Sequence, residues 1–354
     1  MKQKFVALVL GCAMVASVAT AATAETVKML ETGSSLLYPL MNLWVADYTK
    51  DNPGVQITTQ STGSGTGISE AISGVAQIGA SDAYMSDSQL KAAPSPMLNI
   101  PTAISAQQVN YNLPGLNDVH LKLSGPVLAG IYSGSIRYWD DKSIVALNKA
   151  YASKLPHKGI IPIHRSDGSG DTFIFTQYLT FSTPSWKNGP AYGTSISWPA
   201  VPTAVGANGN PGMVQACKAA PYSIAYIGVS FLNETDKAGL GYAMLENRAG
   251  NFVLPTAENV SAAAAALVSK TPADERISLI FAPGAKSYPI INYEYAIVRE
   301  QQPNAETAAA LKKFLSWGIS SDGGNAMKYL DKVHFKPLPE SVVKLSIKQI
   351  DKIH

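Results

Sequence analysis

Three times in this chain an apolar or β-branched run gives way to a glycine- and serine-rich turn and then to residues spaced for a helix. The three turns are Thr32-Gly33-Ser34-Ser35, Ser61-Thr62-Gly63-Ser64-Gly65-Thr66-Gly67 and Ser166-Asp167-Gly168-Ser169-Gly170. Around the first two, Thr26 to Leu30 reads as a strand, Leu36 to Tyr48 as a helix, Val55 to Gln60 as a strand, Ile68 to Ser73 as a helix and Ala76 to Ala80 as a strand. That β-α-β-α-β order is the pattern of a parallel sheet in an α/β fold. In such sheets ligands collect at the carboxyl ends of the strands, where all three turns lie.

The remainder follows the same plan. Asn99 to Asn112 reads as an extended stretch that ends at Pro114-Gly115, a candidate crossing between domains. A second unit holds a helix at Gly125 to Tyr132, a strand at Gly159 to His164 and a helix opening near Asp171. Leu179 to Pro211 reads as long ordered loops, Tyr288 to Val298 as a long strand and second crossing, and Ala305 to Trp317 and Asn325 to Leu330 as helices packing back on the first unit. The expected architecture is two α/β lobes of mixed sheets flanked by helices and joined by two crossings. Lobe I takes 25–112 plus 289–354, and lobe II takes 113–288.

A length of 354 residues suits two domains with sizeable cores. A net charge of +3 is too small for a partner held mainly by a basic surface, which argues against nucleic acid. Lys2 and Lys4 precede the apolar stretch Phe5 to Val18 and the small residues Ala22-Thr23-Ala24, the layout of a secretory signal cleaved after Ala24. Lipid attachment at Cys12 is a minor alternative. Cleavage removes Lys2 and Lys4 and no acid, so the mature chain is nearly neutral, and Cys217 remains as its only cysteine, a buried small hydrophobe with no intrachain partner.

The first amides of a helix have no partner within it and the aligned peptide dipoles add partial positive charge, so a glycine-rich turn into a helix is a natural anion site. Each turn alone could equally be an N-cap; three pointing into one cleft favour a ligand. Arg165 ends the strand before the third turn and can offer a bidentate fork to an oxyanion, or simply pair with Asp167. Asp82, in Ile78-Gly79-Ala80-Ser81-Asp82, would face the same cleft unless it caps the next helix. A carboxylate only accepts hydrogen bonds, so it welcomes an anion that still carries a proton, as phosphate does near neutral pH, and repels one that does not, such as sulfate.

Enzyme signatures are mostly missing. Neither Ser64 nor Ser169 sits in G-x-S-x-G, there is no H-E-x-x-H or P-loop, and the five histidines lack metal-ligand spacing. No metal or cofactor is expected. His164 beside Arg165 is assigned a structural role.

TGSSLLYPLMNLW, QSTGSGTG, IGASDAYMSD and HRSDGSGDTFIFTQYL, with YWDD, AYIG and YPIINYEYAIV, resemble the periplasmic phosphate-binding proteins of ABC-type phosphate importers along the whole mature chain. The resemblance implies a type II two-lobe periplasmic binding protein, both termini in one lobe, that closes on inorganic phosphate and hands it to permease subunits as a monomer. It places phosphate contacts on Ser35, Leu36 (through its amide), Ser64, Asp82, Arg165, Ser169 and Gly170, with Asp167 orienting Arg165. Many family members have threonine where Asp171 stands. Asp171 is then a second proton acceptor, or a first-turn acid turned away from the ligand; the first is preferred. Alternatives are a binding protein for another oxyanion, a secreted phosphatase or serine hydrolase using Ser64 or Ser169, and an adhesion protein.

Overall fold

The computed structural model describes residues 26–354, so the expected signal sequence and Cys12 lie outside the described residues. Its strands are β1 (Val27–Gly33), β2 (Val55–Ser61), β3 (Ile78–Ser81), β4 (Met97–Asn112), β5 (Lys122–Leu123), β6 (Ile161–Arg165), β7 (Val205–Ala207), β8 (Ser223–Gly228), β9 (Gly241–Tyr242), β10 (Met244–Glu246), β11 (Phe252–Val253) and β12 (Ile291–Arg299). The main sheet runs β2-β1-β3-β12-β4-β8-β6-β7, with β9 beside β4, and a small sheet runs β11-β10-β5. Parallel pairing joins β2, β1 and β3 on one side and β8, β6 and β7 on the other. Between these two parallel units lie the antiparallel strands β12 and β4.

β4 is the spine of both halves. Its first part pairs with β12 up to Ala106, and from Gln107 onward it pairs with β8. The change of partner therefore falls inside a continuous strand, ahead of the crossing expected at Pro114-Gly115. The second crossing lies beside it: the Gln107 amide donates to the Ile290 carbonyl at 3.1 Å and the Tyr288 hydroxyl to the Gln107 carbonyl at 2.8 Å. Buried on both faces, β4 nonetheless carries Thr102, Ser105, Gln107, Gln108 and Asn110 with no exposure. Burying polar side chains costs free energy unless they find partners, so this strand marks a place where chemistry overrides packing.

Helix Tyr38–Asp51 presents Leu40, Met41, Trp44 and Tyr48 to the core, where Trp44 meets Phe314 and Trp317 of helix Ala305–Ile319 edge-on. The Trp44 indole donates to the Gly324 carbonyl at 2.9 Å, so the C-terminal segment does pack back on the first unit. Leu179 to Pro211 is more regular than expected: helix Gly170–Ser182 runs into it, a turn of helix follows at Pro184–Lys187, and β7 closes it. Cys217 is buried, its thiol pushed up to about 12 by burial. No described helix is long and apolar enough to cross a membrane.

Glu31 on β1 is fully buried, no side chain pairs with its carboxyl oxygens, and burial pushes it up to about 8 against a smaller opposing pull from the Gln60 backbone. An unfolded chain ionises this group above about 4.5, whereas the folded protein keeps it protonated until about 8. Folding therefore loses stability as pH rises through that window and the loss levels off above it. The penalty at pH 8 is on the order of several kcal/mol. Glu31→Gln should raise the melting temperature at pH 8 and leave it little changed at pH 5; parallel melting curves for the two proteins at both pH values would contradict this.

Candidate functional site

β1 ends at Gly33, where φ is 141° and a Cβ would sit 2.0 Å from the Ala80 carbonyl oxygen, so only glycine lets β1 and β3 end side by side. The turn that follows carries Ser34, whose hydroxyl accepts from the amides of Leu36 and Leu37 at 3.1 and 3.0 Å and donates to Asp82 Oδ1. Ser35 points elsewhere, its Oγ accepting from the backbone and side-chain amides of Asn210 at 3.0 Å each. The Leu36 amide, expected to point at a guest, is thus engaged by Ser34, while the Leu36 side chain packs on Gly228.

β2 leads into helix Ser64–Ser73. Ser64, its first residue, donates to Asp82 Oδ2 at 3.4 Å and accepts from the Asp82 amide at 3.2 Å. Asp82 follows directly on β3 and does not cap the next helix, where Ser86 takes that place.

β6 ends at Arg165, which is 4 % exposed. Its Nε donates to Asp167 Oδ1 at 2.7 Å, Nη2 to Asp167 Oδ2, and Nη1 to Asp171 Oδ2 at 2.7 Å. Three of five N–H groups meet carboxylates, and two remain on the terminal nitrogens for an oxyanion. Ser169 caps helix Gly170–Ser182, accepting from the Thr172 amide at 3.2 Å. Asp171 is turned inward, with Gln107 Nε2 donating to Oδ1 at 2.9 Å and Asn210 Nδ2 to Oδ2 at 2.7 Å.

The two sides meet. The Gly65 amide donates to the Gly168 carbonyl at 2.8 Å, and a Cβ on Gly170 would lie 2.4 Å from Asp82 Oδ2 and 2.5 Å from Ser64 Oγ. The N-termini of helices Ser64–Ser73 and Gly170–Ser182 thus converge on Asp82, bringing Ser64, Asp82, Arg165, Ser169, Gly170 and Asp171 into one buried cluster with Asp167 at its edge.

One guanidinium faces three aspartates, so attraction for an anion comes from helix amides and the Arg165 fork rather than from net charge. Burial, then the charge of Asp171, raises Asp82 to about 7; the neighbouring Glu294 side chain, the Ser34 hydroxyl and the Arg165 charge oppose the rise. Burial also raises Asp171, against the pull of Arg165, Gln107 and Asn210. Burial works to raise Asp167 too, but the Arg165 bond and charge outweigh it and hold it low. Burial likewise works against the Arg165 cation, and Asp167 and Asp171 more than offset it.

Ser34, Asn210, Gln107 and Glu294 belong to this cluster and were not singled out in the sequence. Ser34 lies inside the first turn, so its hydroxyl was open to notice. Asn210 opens helix Gly209–Ala219 within Asn208-Gly209-Asn210-Pro211-Gly212, which has the composition of a plain turn. Gln107 and Glu294 are signalled only by being polar inside strands that read as apolar.

Among the described residues Ser64 and Ser169 have no histidine partner, and His164 stacks on Trp198 with ring centroids 4.9 Å apart. No described cluster of three or more His, Cys, Asp or Glu is arranged to hold a metal ion.

The PBP superfamily domain matches residues 17–322. The phosphate-binding protein PstS of Methanocaldococcus jannaschii is 34% identical over 344 residues, covering 93% of this chain and 87% of the relative. That of Haemophilus influenzae is 35% identical over 311 residues, covering 88% and 89%. The crystal structure of the phosphate-binding protein from Stenotrophomonas maltophilia superposes with a TM-score of 0.68 at 19% identity, over 91% of this chain and 93% of that one, and shares the two-lobe fold. With a superfamily match over most of its length and relatives of that likeness, the chain belongs to the family of the phosphate-binding proteins PstS.

Proposed function

We propose that this protein captures inorganic phosphate in the cleft between its two lobes and delivers it to the membrane subunits of an ABC-type importer, acting as a carrier and not as an enzyme. One observation carries the reading: Asp82, an acceptor, stands where two helix N-termini and Arg165 meet. Donors alone would bind any small oxyanion. A carboxylate among them demands a guest with a proton to give, and phosphate brings one where sulfate does not. The names of the relatives and the phosphate-binding neighbours support the same ligand.

In this reading Arg165 forks to two phosphate oxygens, held in plane by Asp167. Ser64, Ser169 and the helix amides at Gly170 donate to the others, and Asp82 takes the phosphate proton. Asp171 Oδ1 accepts from Gln107 alone, which leaves it room to take a second proton. Ser35 and Leu36 line the first turn, where Ser34 stands nearer to Asp82. The lobes are 25–112 plus 289–354 and 113–288. The mature protein is a periplasmic monomer, released by cleavage after Ala24, that takes up no nucleic acid.

Calorimetric titration of the mature protein at pH 9, where Asp82 is ionised, should show one phosphate per chain and sulfate weaker by about a hundredfold, because a site built around one hydrogen bond rejects analogues that lack it. Equal affinities would defeat the selectivity argument, and a heat-silent phosphate titration would defeat the function.

A further inference from the structure

Beside Asp82, across the pairing of β3 with β12, lies a second carboxyl group. Glu294 sits on β12 with no exposure. Its Oε1 accepts from the Ser105 hydroxyl and from Asn292 Nδ2, the latter at 3.2 Å; its Oε2 is buried and receives no bond from any donor. Tyr295 on β12 pairs with Ser81 at the end of β3, so one step further along the antiparallel register Glu294 and Asp82 stand opposite each other with their side chains on one face. Two ionised carboxylates side by side in the interior repel each other and, both being acceptors, cannot share a hydrogen bond. One of them must hold a proton.

The surroundings decide which. Asp82 receives the Ser34 and Ser64 hydroxyls and lies near the Arg165 cation and two helix N-termini, all of which favour its charge. Glu294 faces neutral Ser105 from β4 and neutral Asn292 on its own strand, and among the described residues the charged group against it is Asp82, at the end of β3. Asp171 and Arg165 reach the pair through Asp82.

The backbone is bent to make the meeting possible. Glu294 opposes Ala103 and Tyr295 opposes Pro101, so Thr102 is an extra residue in β4, and its hydroxyl donates to the Glu294 carbonyl at 3.0 Å. Such a bulge re-aims side chains and is found beside sites. Asn292 Nδ2 also reaches the Asp82 carbonyl at 3.3 Å, tying β12 to the same turn.

We propose that Glu294 is a positioning residue for anion selection: it stays a carboxylic acid and donates its own proton from Oε2 to Asp82, which fixes Asp82 as an ionised acceptor turned toward the proton of the bound phosphate. The inference rests on the reading of Asp82 as that acceptor. Burial first, and then the Asp82 charge, raise Glu294 well above the ordinary carboxyl range, in keeping with this assignment.

The test uses the mature protein, phosphate and sulfate, and two variants. In Glu294→Gln the amide N–H replaces the acid O–H as donor, so phosphate affinity between pH 6 and 8 should stay within about threefold of the parent. In Glu294→Met the donor is gone and Asp82 gains protons more readily. Affinity should fall roughly tenfold or more, the size of a lost bond to a charged group, and fall further at pH 6 than at pH 8. Infrared difference spectra, parent minus Glu294→Gln, should show the C=O stretch of a protonated carboxyl; this reading survives even if the methionine variant fails to fold. Equal losses in both variants with one pH shape, or no protonated carboxyl in the difference spectrum, would overturn the proposal. Failure of the underlying reading looks different: Asp82→Asn would then leave the phosphate-to-sulfate ratio as it is in the parent, whatever Glu294 does.

Discussion

Arg165→Ala is expected to cost phosphate binding about 2–5 kcal/mol, roughly 30-fold to several thousandfold in affinity, the range seen when one member of a buried, hydrogen-bonded charge pair is truncated. The upper part of that range applies here. Arg165 is the one cation bonded to Asp167 and Asp171, and its side chain is 1 % exposed. Removing it deletes two donors for the anion. It also leaves two aspartates facing a guest of their own sign, which the helix amides must then hold alone. Burial already works against the charged form of Asp171, and Arg165 is the main influence opposing that. The variant should therefore take up protons on Asp171, bind phosphate better at low pH than at high pH, and melt at a lower temperature than the parent. Arg165→Lys should recover only part of the loss, because an ammonium cannot span Asp167, Asp171 and phosphate in one plane. Titration calorimetry at pH 6 and pH 8 checks this; a loss of under threefold at both would remove Arg165 from the binding account.

How much of this was legible in advance depended on distance along the chain. The β1 and β2 turns are local: a β-branched run, a glycine where no Cβ fits, and a helical period together fix strand, turn and helix, and the structure places β1, β2 and β3 within a few residues of expectation. Arg165 and Asp167 are also local partners, two residues apart. The clasp on Asp171 is not. Asn210 reaches it from 39 residues away and Gln107 from 64, and neither carries a sequence mark beyond being polar. The change of sheet partner within β4 is hidden for a related reason. A strand buried on both faces reads as a uniform run, and nothing in its pattern shows that its neighbour changes from β12 to β8 at Gln107. The polar residues within β4 and β12 were the available sign, since a core strand carries Gln107, Ser105 or Glu294 only when something across the sheet satisfies them. Helices Ala257–Leu267 and Glu340–Ile350 went unannounced; the first is mostly alanine and the second buries only a narrow stripe, so both owe their place to the surface they cover.

Asp82→Asn is expected to change what the site selects more than how tightly it closes. The parent side chain accepts from Ser34 and Ser64 and has no hydrogen to offer an anion when ionised. Asparagine has nearly the same shape and keeps an acceptor oxygen for the serines, but its amide nitrogen donates. An anion without a proton then finds a donor where it met a negative charge. At pH 9, where the parent's Asp82 is ionised, sulfate binding should rise by about two orders of magnitude, since a desolvated like-charge contact costs several kcal/mol, while phosphate loses a partner for its proton and gains one for an oxygen. The phosphate-to-sulfate ratio should fall toward one. The parent itself offers an independent check through pH. With Asp82 raised to about 7, a growing share of it is protonated as pH falls below that value. A protonated Asp82 can donate, so sulfate should bind the parent better at pH 5 than at pH 9, and the asparagine variant should lose that dependence. Competition titrations of the two anions against both proteins at both pH values measure the four phosphate-to-sulfate ratios. Sulfate binding that stays weak in Asp82→Asn at either pH would mean that selection lies in the size or closure of the cleft and not in this carboxylate.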